Sequence, residues 1–205
     1  MILKHDRGYL IAFEGIDGTG KSTHCKLLAD YLEGLGINVL RLREPTDGVW
    51  GKKIREVIAR GRNGISPEEE LELFINDRKD DVNRNIKPAL EKNRVVLIDR
   101  YYFSTAAYQG SLGLDPESIV RSNEVFAPAP DLVLLFVTSP EECLKRIEES
   151  REGFSAFEKI DYLKKVQKIF DSFSRPEIKR IDSDRGKDEV HADVVREAKQ
   201  ALELS

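Results

Sequence analysis

A chain of 205 residues is long enough for one domain with a full hydrophobic core and short for two. Hydrophobic residues make up 40% and charged residues 34%, with 33 Lys plus Arg against 37 Asp plus Glu; this describes an ordinary soluble globular protein of net charge -4 and argues against a nucleic-acid partner. An anionic ligand would be held by a local cluster of Arg and Lys, because the net field of the chain is weakly repulsive.

In chain order, short apolar runs alternate with longer periodic segments, the pattern of βαβ units around a parallel sheet. YLIAFE (9–14) is the first predicted strand and leads to a helix over 21–35. NVLRL (38–42) is the second, followed by helices over 49–60 and 67–92. The longer of these has a clear start, with Ser66 as cap, Pro67 in the first turn and Glu69 where a capping box places its acid. RVVLID (94–99) precedes helices over 102–110 and 115–126, and DLVLLFV (131–137) precedes helices over 139–149 and 157–173. EIKRID (177–182) and a helix over 187–203 complete the set. The third and fourth strands are nearly continuous in Val, Leu and Ile, as expected where helices cover both faces. Residues 148–156, EESREGFSA, lack apolar anchoring and read as a mobile surface loop. No repeat or linker appears, so residues 1–205 are expected to form one domain.

Cys25 and Cys143 show no CxxC spacing and read as core or surface thiols. His5, His24 and His191 form no ligand pattern. The start MILKHDRGYLIAF lacks the features of a signal peptide and no run of 18 apolar residues occurs, so the expected location is the cytoplasm, with no membrane partner.

Gly15-Ile16-Asp17-Gly18-Thr19-Gly20-Lys21-Ser22, continued by Thr23, fits G-x4-G-K-[ST] in full. A predicted strand feeds it and a predicted helix leaves it, as a phosphate-binding loop requires. Glycines let consecutive backbone N–H groups converge on phosphate oxygens, and the helix starting near Lys21 points its positive end at them. Lys21 would bridge the β- and γ-phosphates, while the Ser22 hydroxyl would coordinate Mg2+. The expected ligand is a nucleoside triphosphate.

Switch GTPases, ATP-driven machines and small-molecule kinases share this loop. The chain has no N/T-K-x-D guanine-reading signature, and RVVLID is followed by Arg100 rather than by a second acid, which suits a kinase for a small acceptor. Ligands of open α/β sheets gather beyond the carboxyl ends of the strands, so Asp99 and Arg100 should emerge near the phosphate loop. Asp99 would organise Mg2+ or the attacking group, and Arg100 would clamp a phosphate in two-pronged fashion.

Together FEGIDGTGKST (13–23), REPTDG (43–48), LELFINDRKDDV (71–82), IKPAL (86–90), VVLIDRYYFSTAAYQG (95–110) and PDLVLLFVTSPEECLKRI (130–147) resemble thymidylate kinase, in the right order through nearly the whole chain. The resemblance implies an α/β P-loop NTPase fold, a five-stranded parallel sheet with helices on both faces and a short lid. It implies transfer of the γ-phosphoryl group of ATP to dTMP with Mg2+, giving dTDP on the way to dTTP, by an enzyme that is usually a homodimer. In that family a carboxylate at the position of Asp17 meets the deoxyribose 3′-hydroxyl. Phe74 matches the aromatic residue that stacks on thymine, Arg78 the one that hydrogen-bonds the base, and Thr105 a polar side chain at the thymine edge. Tyr108 matches a ring that crowds the sugar 2′ position, and Gln109 lies beside that pocket. Arg100 matches the arginine bridging donor and acceptor phosphates, with Asp99 beside it, and Arg43 matches as well.

From the residues alone, Phe74 with Leu71 and Ile75 also reads as core, and Arg78 in NDRKDD as a solvated face. Thr46 and Asp47 stand where the family commonly has two glycines, and Trp50 has no motif role. Gly18 stands where some members carry an arginine, so the resemblance assigns transition-state charge to the lid, to Arg151 or alternatively Arg146. The adenine would lie near IDSDRGKD (181–188), against backbone groups from Ser183 onward. Two rivals remain open at this point: a deoxynucleoside (thymidine) kinase of the same superfamily, and a nucleotide-binding regulator without turnover.

Overall fold

Alternation along the first strand decides what it touches. In β1 (Tyr9–Glu14), Leu10 and Ala12 point into one apolar layer, while Tyr9, Ile11 and Phe13 point into the other. The computed structural model describes residues 7–148 and 156–204. β1 pairs in parallel with β3 (Val95–Asp99) on one side and β4 (Leu132–Val137) on the other. β2 (Val39–Arg43) and β5 (Ile178–Asp182) form the edges of a five-stranded sheet of order β2-β3-β1-β4-β5.

Helices cover both faces, as the unbroken apolar runs of β3 and β4 require. α1 (Lys21–Gly34) and α9 (Lys187–Ala201) bring Leu28, Leu32, Val194 and Ala198 against one face. α5 (Tyr102–Gly110), α6 (Pro116–Glu124) and α8 (Ala156–Ser172) bring Phe103, Val120 and Phe170 against the other. Burying each such large side chain contributes roughly 1.5–3 kcal/mol relative to leaving it exposed. α2 (Val49–Ala59) packs on α3 (Pro67–Asp81), and α7 (Pro140–Glu148) on α8. Among the described residues, no helix is long and apolar enough to cross a membrane.

The expected helix over 67–92 is not continuous. α3 starts as its sequence dictates, with Ser66 Oγ accepting from Glu69 N–H at 3.2 Å and Ser66 N–H donating to Glu69 Oε2 at 2.8 Å. A π-helical turn over Val82–Ile86 then precedes the short α4 (Lys87–Glu91). Pro88 gives the physical reason: it has no N–H, and its ring would collide with the carbonyl of residue 84 in an α-helix, so the backbone widens.

Strand register sets up the site. Phe13, Asp99 and Arg43 stand in one row across β1, β3 and β2, so the residues that follow all emerge at the carboxyl edge of the sheet.

Candidate active site

The phosphate loop leaves β1 and closes on the first turn of α1. Gly15 and Gly18 adopt φ 133° and 87°, backbone that other residues enter only at a cost. At Gly18 space is limiting too, since a Cβ would lie 2.5 Å from the Cys143 carbonyl oxygen on α7. Lys21 is 5% exposed, and its Nζ donates to the Ile16 carbonyl at 2.6 Å and to the Thr19 hydroxyl at 3.3 Å. Burial, aided by nearby Arg100, lowers the Lys21 pKa to about 8. An arriving phosphate would favour its charged form again.

Ser22 donates from Oγ to Asp99 Oδ2 at 2.5 Å, joining the start of α1 to the end of β3. A hydroxyl and a carboxylate are hard oxygen donors, and Mg2+ is commonly held by one or two protein groups together with substrate phosphates and water. The pair therefore fits that ion. Among the described residues, no group of three or more His, Cys, Asp or Glu forms a metal cage of its own. Arg43 stands at the rim, with Nε 4.0 Å from Asp99 Oδ2 and a side chain 70% exposed.

Arg100 adopts φ 72°, left-handed in a residue with a side chain. Such a conformation costs about 1–3 kcal/mol and persists only where the surroundings impose it. Its guanidinium donates from Nη2 to Asp17 Oδ1 at 2.6 Å and to the Tyr108 hydroxyl at 3.3 Å, and from Nη1 to Ser104 Oγ at 3.0 Å. The Tyr108 hydroxyl in turn donates to Asp17 Oδ2 at 3.2 Å and accepts from Asp17 N–H at 3.1 Å. Tyr162 of α8 meets the Tyr108 ring edge-on at 6.1 Å. The acid of the phosphate loop is thus bound to α5. Arg100 holds Asp17 well below the usual carboxylate range, while 62% of its side-chain surface stays accessible. The result is an ionised acceptor open to a ligand hydroxyl.

A second cluster lies on the α3 side. Arg78 is 1% exposed, which excludes the solvated-face reading. Its Nη2 donates to Glu44 Oε2 at 2.5 Å and Thr105 Oγ1 at 2.9 Å, and its Nη1 to Asn123 Oδ1 at 2.7 Å. Arg78 Nε has no partner. Burial raises the Glu44 carboxyl, against the pull of Arg78, and Asp81 and Asp77 add to the rise. Gln109, one turn beyond Thr105, is 1% exposed, and neither its Nε2 nor its Oε1 is paired. Leaving such a buried amide unsatisfied costs roughly 1–3 kcal/mol per group. Phe74 is half-buried and joins neither apolar cluster, whereas Leu71 packs on the core.

A thymidylate kinase family profile matches residues 13–194. Over 204 residues the chain is 46% identical to the thymidylate kinase of Desulfotalea psychrophila, covering 99% of this chain and 100% of that one. It is 46% identical over 188 residues to the thymidylate kinase of Akkermansia muciniphila, covering 92% and 90% of the two chains. A probable thymidylate kinase of Archaeoglobus fulgidus is 43% identical over 195 residues, covering 95% and 97%. The chain belongs to the thymidylate kinase family.

Within this thymidylate kinase family member, several predicted positions converge and others do not. Lys21, Ser22, Asp99, Asp17, Arg100 and Tyr108 gather at the sheet edge, and Arg78 meets Thr105. Arg151 lies outside the described residues. Arg146 donates from Nε to Glu142 at 3.0 Å and from Nη2 to the Ser183 carbonyl at 3.2 Å, which ties it to the turn before α9. Thr46 has a structural partner: its N–H and hydroxyl donate to Asp77 at 2.7 and 2.6 Å, pinning the loop after β2 onto α3. Arg55 of α2 braces the same loop through Asp47 at 3.1 Å and the Thr46 carbonyl at 2.8 Å. Trp50 carries Lys53 over its ring at 4.5 Å and lines a cleft between α2 and α3 with Val57 and Leu73.

Sequence reasoning missed Glu14, Glu44, Ser104 and Asn123, which are all buried. Glu14 accepts from Tyr101 N–H at 2.9 Å and Ser104 N–H at 3.2 Å, and the Ser104 hydroxyl donates to its other oxygen. Burial lifts its carboxyl to about 7, with the Ser104 hydrogen bond and Arg100 opposing the rise. An acid closing an otherwise apolar strand, and an asparagine beside Ile119 and Val120 on α6, were the signals available.

Proposed function

We propose that the chain is an ATP:dTMP phosphotransferase, converting dTMP to dTDP with Mg2+ in the synthesis of dTTP. The observation that carries this reading is the bonding of Asp17, within the phosphate loop, to Arg100 and Tyr108 next to α5. A loop that held only ATP would have no use for an exposed, ionised carboxylate. A sugar hydroxyl of the acceptor is the complementary group.

The acceptor phosphate oxygen attacks the γ-phosphorus as the bond to ADP breaks, a transfer that depends on alignment and charge neutralisation. Lys21 steadies the donor phosphates, and Arg100 lies between donor and acceptor, where charge shifts in the transition state. Mg2+, held by Ser22 and Asp99, would neutralise phosphate charge. Asp17 orients the deoxyribose, Tyr108 crowds its 2′ position and Phe74 stacks on the base. Arg78 and Thr105 read the base edge, and Gln109 lies beside that pocket. Arg43 stands toward the phosphates, Arg151 of the lid supplies the charge that Gly18 does not, and the adenine rests near Ser183. The active form is a cytoplasmic homodimer.

The test is an ADP-release assay with ATP, Mg2+ and a panel of nucleoside monophosphates and nucleosides. A preference for dTMP or dUMP over CMP, AMP and GMP is expected. No such preference overturns the reading, and turnover of thymidine without dTMP replaces it with a deoxynucleoside kinase.

A further inference from the structure

We propose that Glu14 is a positioning residue that sets the aim of Arg100 through Ser104 and the backbone of α5. The inference rests on the phosphoryl-transfer reading only in what Arg100 does once it is aimed.

Arg100 is held in its left-handed backbone from both sides by consecutive residues of β1. Its own N–H donates to the Phe13 carbonyl at 3.0 Å, and the next N–H, of Tyr101, donates to Glu14 Oε1 at 2.9 Å. The two peptide units flanking Arg100 are therefore both tied to one strand. That fixes the direction in which its side chain leaves the turn.

Glu14 also replaces a missing cap. The N-cap residue of α5, Tyr101, makes no side-chain cap hydrogen bond, and the first N–H groups of a helix need acceptors from elsewhere. Glu14 takes two of them, from Tyr101 and Ser104, and is 0% exposed, so water offers no substitute.

The last link is the Ser104 hydroxyl. Its hydrogen is committed to Glu14, which leaves its lone pairs for Arg100 Nη1 at 3.0 Å, while Arg100 Nη2 reaches Asp17 at 2.6 Å. A Glu14 Oε2 that accepts from the Ser104 hydroxyl sets this polarity, and the N–H group of an amide at the same place would face that hydroxyl as a donor. Glu14 touches no substrate in this scheme and acts through Arg100.

The experiment compares Glu14→Gln and Ser104→Ala, each alone and in an Arg100→Ala background. Readouts are kcat and KM with the acceptor turned over fastest, affinity for an ATP analogue, and rotation of the Arg100 guanidinium by NMR. Each single variant is expected to lower kcat about tenfold or more, as for a disrupted charge-assisted hydrogen-bond chain, with ATP-analogue affinity retained. Arg100 should rotate faster in both, and neither change should reduce the residual rate once Arg100 is gone. Ser104→Ala keeps the backbone bonds to Glu14 and decides the matter if Glu14→Gln does not fold. Unchanged Arg100 rotation in the variants overturns the proposal, as do losses that multiply in the Arg100→Ala background. If no acceptor is phosphorylated, the kinase reading fails while the rotation measurement still decides the role of Glu14.

Discussion

Arg78 Nη2 lies 2.9 Å from Thr105 Oγ1, joining α3 to α5 by a buried hydrogen bond. Arg78→Ala is expected to raise KM for dTMP at least about tenfold, since hydrogen bonds to a charged group contribute about 1.5–3 kcal/mol each. KM for ATP should stay the same. The variant should also melt earlier, because Glu44 and Asn123 lose their buried partner. Steady-state kinetics well below the melting point separate the two effects, and an unchanged KM for dTMP removes Arg78 from the base pocket.

Lys21→Ala should reduce mainly kcat, by about a hundredfold or more, because its charge matters most where negative charge builds up in the transition state. An equilibrium titration with an ATP analogue should show weaker binding by a smaller factor. Full turnover in this variant would rule out the assignment of the loop.

The Ser22–Asp99 contact at 2.5 Å makes a prediction about metal dependence. Ser22→Ala and Asp99→Asn are each expected to raise the Mg2+ concentration giving half the maximal rate. The loss of charge in Asp99→Asn should make its shift the larger. A Mg2+ titration at saturating substrates checks this, and identical half-saturation in both variants and the parent places the ion elsewhere.

Glu44 links stability to pH. Its carboxyl is raised by burial to about 8 from an ordinary value of 4.5, so the native state holds a proton there that the unfolded chain releases. The sign follows: this contribution is complete below the ordinary value and is lost as pH rises toward the raised one. Glu44→Gln has no titrating carboxyl, so its melting temperature should gain on the parent as pH rises from 5 to 8. Melting curves that run parallel across the range would show that Glu44 titrates no differently on folding.

β1 was legible to its last residue, Tyr9–Glu14, because glycines bound an apolar run whose two faces are both covered. The phosphate loop was legible for a similar reason: its glycines occupy backbone that few other residues tolerate. Phe74 and Arg78 were ambiguous, since helical spacing places a residue on a face without saying whether that face meets core, solvent or a ligand. Glu14 was hidden by distance, its partners Tyr101 and Ser104 lying 87 and 90 residues away. The π-helical turn left a single trace, Pro88, because a one-turn change of pitch barely disturbs a 3.6-residue pattern.

β1 is hydrogen-bonded along both edges, and the phosphate loop, Glu14 and the backbone of Arg100 all hang from its end. Amides in such a doubly paired strand are expected to exchange with solvent only in large-scale openings, which ties the phosphate loop, Glu14 and Arg100 to slow-exchanging backbone. The Asp17–Arg100 junction is tied to that strand through the carbonyl of Phe13 and the carboxyl of Glu14.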